Sequence, residues 1–205
     1  MKRIVALLFV IGMGVAAALM TAQHPFAKVL FEFEQYRDYE GVLADWPQPT
    51  LITKDDRYLL VSPGKHGFAS AYAGRIVRLK GSLIRRGSDS MLEVVPESVQ
   101  PQGEATAPPK PMALGSFTLQ GEIVDSKCFL GVMNPGSGTV HHDCAVRCIS
   151  GGIPAAFLVR DAAGVSRVLL LDGMSKEAIL AHVAAPITLH GQVRQVGKTL
   201  ILTVE

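Results

Sequence analysis

The chain has 205 residues, of which 48% are hydrophobic, 19% charged and three are cysteine, a globular composition that excludes a disordered polymer and a disulfide-dense miniprotein. The formal net charge of +2 comes from the chain end and one central segment: ten basic and ten acidic residues lie between Lys28 and Gln100, and seven of each between Ala113 and Glu205. Neither region is basic and only 6% of residues are aromatic, so the electrostatic and stacking footprints of nucleic-acid binding are missing.

Lys2-Arg3 precedes an uncharged apolar run from Ile4 to Ala22. A span needs about 20 apolar residues, whereas a cleaved signal uses roughly 7–15. The ending Ala18-Leu-Met-Thr-Ala-Gln23 is a poor cleavage site. Residues 1–23 are therefore expected to be a transmembrane anchor or uncleaved signal, with a cleaved signal as the alternative. Lys2 and Arg3 would stay in the cytoplasm. The expected location is the inner (cytoplasmic) membrane, single pass, with the later domains in the periplasm or outside. Phe26, Phe31, Phe33, Tyr36 and Tyr39 then form a membrane-proximal aromatic stretch.

The next segments alternate apolar residues and turn signals. In residues 24–99, strands are expected at Asp38–Ala44, Thr50–Thr53, Tyr58–Val61, Arg75–Ile84 and Ser90–Val95, with a short helix over Gly67–Ala73. Residues 100–114, rich in Pro, Gln and Ala, read as a semi-rigid linker. Residues 115–205 repeat the order: Phe117–Val124, Ala155–Val159, Arg167–Leu171, a helix over Lys176–Val183, Pro186–Arg194 and Lys198–Val204. Gly81 and Gly191 interrupt corresponding strands, as a bulge or sharp bend requires. This order of elements resembles the OB-fold. The resemblance implies a mainly β chain: a transmembrane helix followed by two small five-stranded barrels, each with a short helix.

All three cysteines lie between the first two strands of the second module. If residues 140–149 are helical, His141, Cys144 and Cys148 stand at i, i+3 and i+7 on one stripe, and Cys128 can approach from the strand end. Gly151-Gly152 and Pro154 stop that helix. Three thiolates and an imidazole outline a Cys3His site for zinc, and thiolates also suit copper, with Met133 as a further soft ligand. The short Cys-x-x-Cys pairs usual for iron–sulfur clusters are absent. His142 is the rival to His141 but lies off the stripe. Asp125 could orient the histidine and Lys127 could depress a thiol pKa, against the plainer reading of both as a solvated strand end.

The competing reading is a disulfide from Cys128 to Cys144 or Cys148, which an oxidising compartment favours and which would leave no metal. It leaves an odd thiol and an unexplained histidine. A third reading is a thiol oxidoreductase using Cys144 and Cys148, with Cys128 resolving. The elements Asp125-Ser-Lys-Cys128, His141-x-x-Cys144-x-x-x-Cys148 and Gly151-Gly-Ile-Pro154 also resemble those of poorly characterised secreted bacterial proteins. That resemblance supplies a fold and no biochemical role.

Ser62-Pro-Gly-Lys-His-Gly67 lacks phosphate-loop spacing and reads as a plain turn. Trp46, the only tryptophan, is expected in the core, with packing on a partner or on the membrane surface as the alternative. No hydrolase triad, glycosidase carboxylate pair or dinucleotide fingerprint occurs, so no catalytic residue is assigned and the reading leans away from an enzyme, with the thiol oxidoreductase as the enzymatic alternative. The composite expectation is a membrane-anchored binding or accessory protein that serves a membrane redox complex or metal handling. Its partners would be the membrane and a membrane protein complex, not nucleic acid. The alternatives are an exported thiol-redox protein or an interaction module with a disulfide-stapled loop.

Overall fold

The computed structural model describes residues 2–22, 28–104, 110–161 and 164–205. His24 and Phe26 lie outside the described residues. Helix α1 (Lys2–Ala22) has no charge after Arg3 and is long and apolar enough to cross a membrane. At about 1.5 Å per residue it matches the ~30 Å hydrocarbon core of a bilayer. Its large side chains, from Ile4 to Met20, are exposed.

Two closed five-stranded barrels follow. The first contains β2 (Arg37–Ala44), β3 (Thr50–Ile52), β4 (Arg57–Val61), β5 (Arg75–Arg86) and β6 (Asp89–Val94), and β1 (Val29–Phe31) precedes them. Pairing runs β5-β2-β3-β4-β6 and closes from β6 back to β5. All ladders are antiparallel except β4 on β6. The long β5 is shared along its length: Ile76 to Gly81 pair with β2, and Gly81 to Arg86 with β6. Its spare edges take β1 and β7 (Gln100–Glu104).

The second barrel is built from β8 (Met112–Asp125), β9 (Ala155–Arg160), β10 (Ser166–Asp172), β11 (Pro186–Val196) and β12 (Thr199–Val204). It closes in the same order, β10-β12-β11-β8-β9, with β10 on β12 as its one parallel pair. The corresponding glycines Gly41 and Gly121 let the next strand cross closely: a Cβ on either would collide with the carbonyl oxygen of Ile52 or Leu158.

Three differences from the sequence reading have physical causes. Gly67–Ala73 is turn rather than helix; the short helix of the first barrel is the 3-10 turn Pro96–Ser98 after β6. Gly67 bridges to Val61 and donates to the Gly151 carbonyl instead of entering a helix, and Gly74, with φ +80°, closes the segment in the left-handed region. Of the segment expected as linker, Gln100–Glu104 pairs with β5 and Met112–Leu114 belongs to β8; residues 105–109 lie outside the described residues. Trp46 is 39% exposed rather than in the core.

Each barrel has its own apolar centre. Leu43, Leu51, Leu60, Val77, Leu79 and Leu92 fill the first; Ile123, Phe157, Leu169, Leu171, Val193 and Leu202 fill the second. A third cluster joins them. Leu59, Val61, Ile84 and Met91 of the first barrel pack on Phe129, Leu130, Ile153, Leu158 and Leu170 of the second. Cys128 and Cys148 belong to this seam. The barrels therefore pack through shared apolar surface, and the cysteine-bearing loop forms part of it.

Candidate metal centre

The site starts at the buried end of β8. Asp125 has no exposed surface, and its two oxygens are used differently. Oδ1 accepts the Cys128 backbone N–H at 2.8 Å, which fixes the turn that carries the first thiol. Oδ2 lies 2.9 Å from His141 Nε2. With the Nε2 proton directed at the carboxylate, Nδ1 keeps the lone pair that a metal needs.

Beyond Cys128 the backbone makes a π-turn (Cys128–Val132), then a 3-10 turn (Thr139–His141) leading into α2 (His142–Ser150). His141 therefore sits at the helix entrance, and the expected stripe survives: His141 and Cys148 are buried and Cys144 is half-buried. Cys128 Sγ is 4.0 Å from Cys144 Sγ and 4.0 Å from Cys148 Sγ. The three cysteines are free.

Two overlapping ligand groups result, both containing Cys128. Ligand atoms of Cys128, His141 and Cys144 all lie within 4.8 Å of one another, as do those of Asp125, Cys128 and Cys148. Asp125 is closer to the thiols than a purely orienting residue needs to be. Its oxygens are nevertheless both engaged, which leaves it better suited to holding His141 than to binding an ion.

His142 is not brought in. Its ring is exposed and its Nδ1 lies 2.9 Å from Asp143 Oδ1, on the solvent side of α2. Met133 is 45% exposed; its N–H donates to the Cys128 carbonyl. Arg147 is exposed, as expected.

The plainer reading of Asp125 and Lys127 fails, because both are buried. Lys127 does not approach a thiol through any described hydrogen bond. It reaches across the seam, pairs with buried Glu93 of β6, and donates to the carbonyls of Ser62 at 3.1 Å and Gly64 at 2.6 Å. Those two carbonyls bracket the loop that the sequence presented as an ordinary turn.

That loop supplies the functional contact which the sequence reading missed. Lys65 Nζ lies 3.1 Å from Cys144 Sγ and 3.3 Å from Cys148 Sγ. Hydrogen bonding to Cys144 is the main reason its ammonium pKa is raised. The approach depends on missing side chains: Gly67 N–H donates to the Gly151 carbonyl at 3.0 Å, and a Cβ on Gly151 would strike the Lys65 carbonyl oxygen. Gly151-Gly152 therefore does more than stop α2. The sequence signal was present in these unpaired glycines, but nothing local links them to residues so far away.

The thiols are electrically unequal. A hydrogen bond from the Cys128 thiol, with the Lys65 ammonium adding to it, lowers the Cys148 pKa to about 6 against the opposing effect of burial. The same Cys128–Cys148 hydrogen bond, then burial and Asp125, push the Cys128 pKa up. Cys148 is therefore the more readily ionised of the two thiols and Cys128 the more firmly protonated.

Comparison with protein families, with curated proteins and with solved structures gives no match. The functional reading rests on the geometry of the site.

Proposed function

We propose that the protein is a membrane-anchored binding or accessory protein whose second barrel holds zinc or copper through Cys128, His141, Cys144 and Cys148. The observation that carries this reading is the sulfur spacing. Tetrahedral zinc with Zn–S bonds of about 2.3 Å sets its sulfurs about 3.8 Å apart, and Cys128 Sγ lies 4.0 Å from both other sulfurs. A disulfide needs about 2.05 Å, so Cys128 would have to move by roughly 2 Å towards either partner.

The surroundings fit the same purpose. Asp125, His141 and the ion would form a carboxylate–histidine–metal relay. Three thiolates and a dication carry one net negative charge, which the Lys65 ammonium offsets through hydrogen bonds to two of the sulfurs. A closed four-ligand site is structural rather than catalytic for zinc, and soft thiolates hold Cu(I) equally well. With α1 as anchor, the barrels would stand on the periplasmic or outer side of the cytoplasmic membrane. From there the protein would serve a membrane redox complex or metal handling.

Lys65 also favours a second reading. A cation against two thiols with a depressed Cys148 pKa is the setting of a reactive thiolate, so the protein would be an exported thiol oxidoreductase. Metal analysis and thiol titration of the full chain, purified in detergent, separate the two. One bound equivalent that is lost in Cys144→Ser and His141→Ala supports the centre. Absence of metal, with reversible two-electron oxidation of the thiols, would replace it with the redox reading.

A further inference from the structure

A cleft of about 240 Å³ opens between the barrels. None of Cys128, His141, Cys144 and Cys148 lines it. Its walls are the β3–β4 turn and the β5–β6 turn of the first barrel, and β10 with the β11–β12 turn of the second. Leu59, Leu130, Val168, Leu170 and Val196 make it chiefly apolar. Its volume is below the usual range for drug-sized ligands, so it suits a smaller molecule.

Two polar atoms in the lining lack partners. Ser126 is 2% exposed, and its Oγ has no hydrogen-bond partner among the described residues. Arg57 Nε is buried and unmatched, while Nη2 of the same guanidinium donates to the Trp46 carbonyl at 3.5 Å. A buried polar atom left unpaired loses its hydration without compensation, so such atoms are normally satisfied.

The charges favour an anion. Lys54 and Arg57 enter from one barrel and Lys198 from the other, alongside Asp55, Asp56 and Asp89. One of these carboxylates is already paired: Asp56 Oδ2 lies 3.0 Å from Arg85. Asp55 and Asp89 then stand against the three cations Lys54, Arg57 and Lys198 in the lining.

We propose that this inter-barrel cleft binds a small amphipathic anion, with its apolar body against Leu59, Leu130, Val168 and Leu170 and its anionic head on Arg57 beside Ser126. Arg57 offers planar donors suited to a carboxylate. Ser126 and Leu130 flank Cys128 in the same turn, so an occupant would touch the segment that carries the first thiol.

The test uses the full chain in lipid nanodiscs, with empty nanodiscs as the blank. The probes are 2-naphthoate and its neutral analogue 2-naphthamide, followed by methyl NMR. The expected result is saturable one-to-one binding of naphthoate with shifts at the Leu59, Leu130, Val168 and Leu170 methyls. Arg57→Gln should weaken naphthoate at least tenfold and naphthamide by less than twofold. Val168→Trp should abolish both while the thiol count and metal content stay unchanged. A titration indistinguishable from empty nanodiscs, or shifts confined to other methyls, overturns the site in the unmutated protein. Equal affinity for the two probes overturns its anionic selectivity.

Discussion

The two barrels close with the same strand order and the same single parallel pair, yet their first loops differ completely. In the first barrel, residues 45–49 join β2 to β3 directly. In the second, residues 126–154 form three helical segments and set Cys144 Sγ and Cys148 Sγ each 4.0 Å from Cys128 Sγ. The first barrel closes with no cysteine, so the architecture does not require this chemistry. What the first barrel contributes instead is Lys65, placed against two thiols. The two barrels contribute differently: one carries the Cys/His cluster, and the other sets Lys65 against two of its thiols.

The largest effect expected from breaking this division is on the seam. Lys127→Met leaves Glu93 buried without its cation and should cost about 3–5 kcal/mol in denaturant unfolding. Adding Glu93→Leu should recover most of that loss. Asp38→Ala, which removes an exposed pair with Arg78 within the first barrel, should cost less than about 1 kcal/mol.

Asp125→Asn keeps the size of the side chain but weakens its hold on His141. It should lower metal affinity about 10–100-fold in competition with a chelator, whereas His142→Ala should change it less than twofold. Equal effects would reverse the assignment of the two histidines.

Gly151→Ala places a methyl against the Lys65 carbonyl and should destabilise the protein by about 1–3 kcal/mol. Gly103→Ala, with nothing within 4 Å, should stay within about 0.5 kcal/mol.

The smallest effect is on ionisation. In the metal-free chain the Cys148 pKa is depressed, so its thiolate contributes stability above the ordinary thiol pKa and loses it as pH falls through about 6. Lys65→Met should move the midpoint of thiolate absorbance upward. An unchanged midpoint would show that Lys65 does not act on the thiols.

Much of this was legible in the sequence because it is local. Alternating strands and the His141, Cys144, Cys148 spacing are short-range patterns, and each carries its period openly. The burial of Asp125 was not legible, since a carboxylate at a strand end is usually solvated. Lys65 was less legible still. Its contacts with Cys144 and Cys148 span 79 and 83 residues and depend on how two barrels pack, which no local pattern encodes. The segment Gly67–Ala73 shows the opposite error: its correspondence to the helical stretch of the second module suggested a helix, but Gly67 is tied to Val61 and to the Gly151 carbonyl instead.

The central claim is that the second barrel's loop is a ligand set rather than a staple. Metal content and accessible thiols, measured together on the full chain before and after chelation, test it most directly. The account predicts one equivalent of zinc or copper, with three thiols released when it is removed. No metal, with a single titratable thiol both before and after chelation, would contradict it.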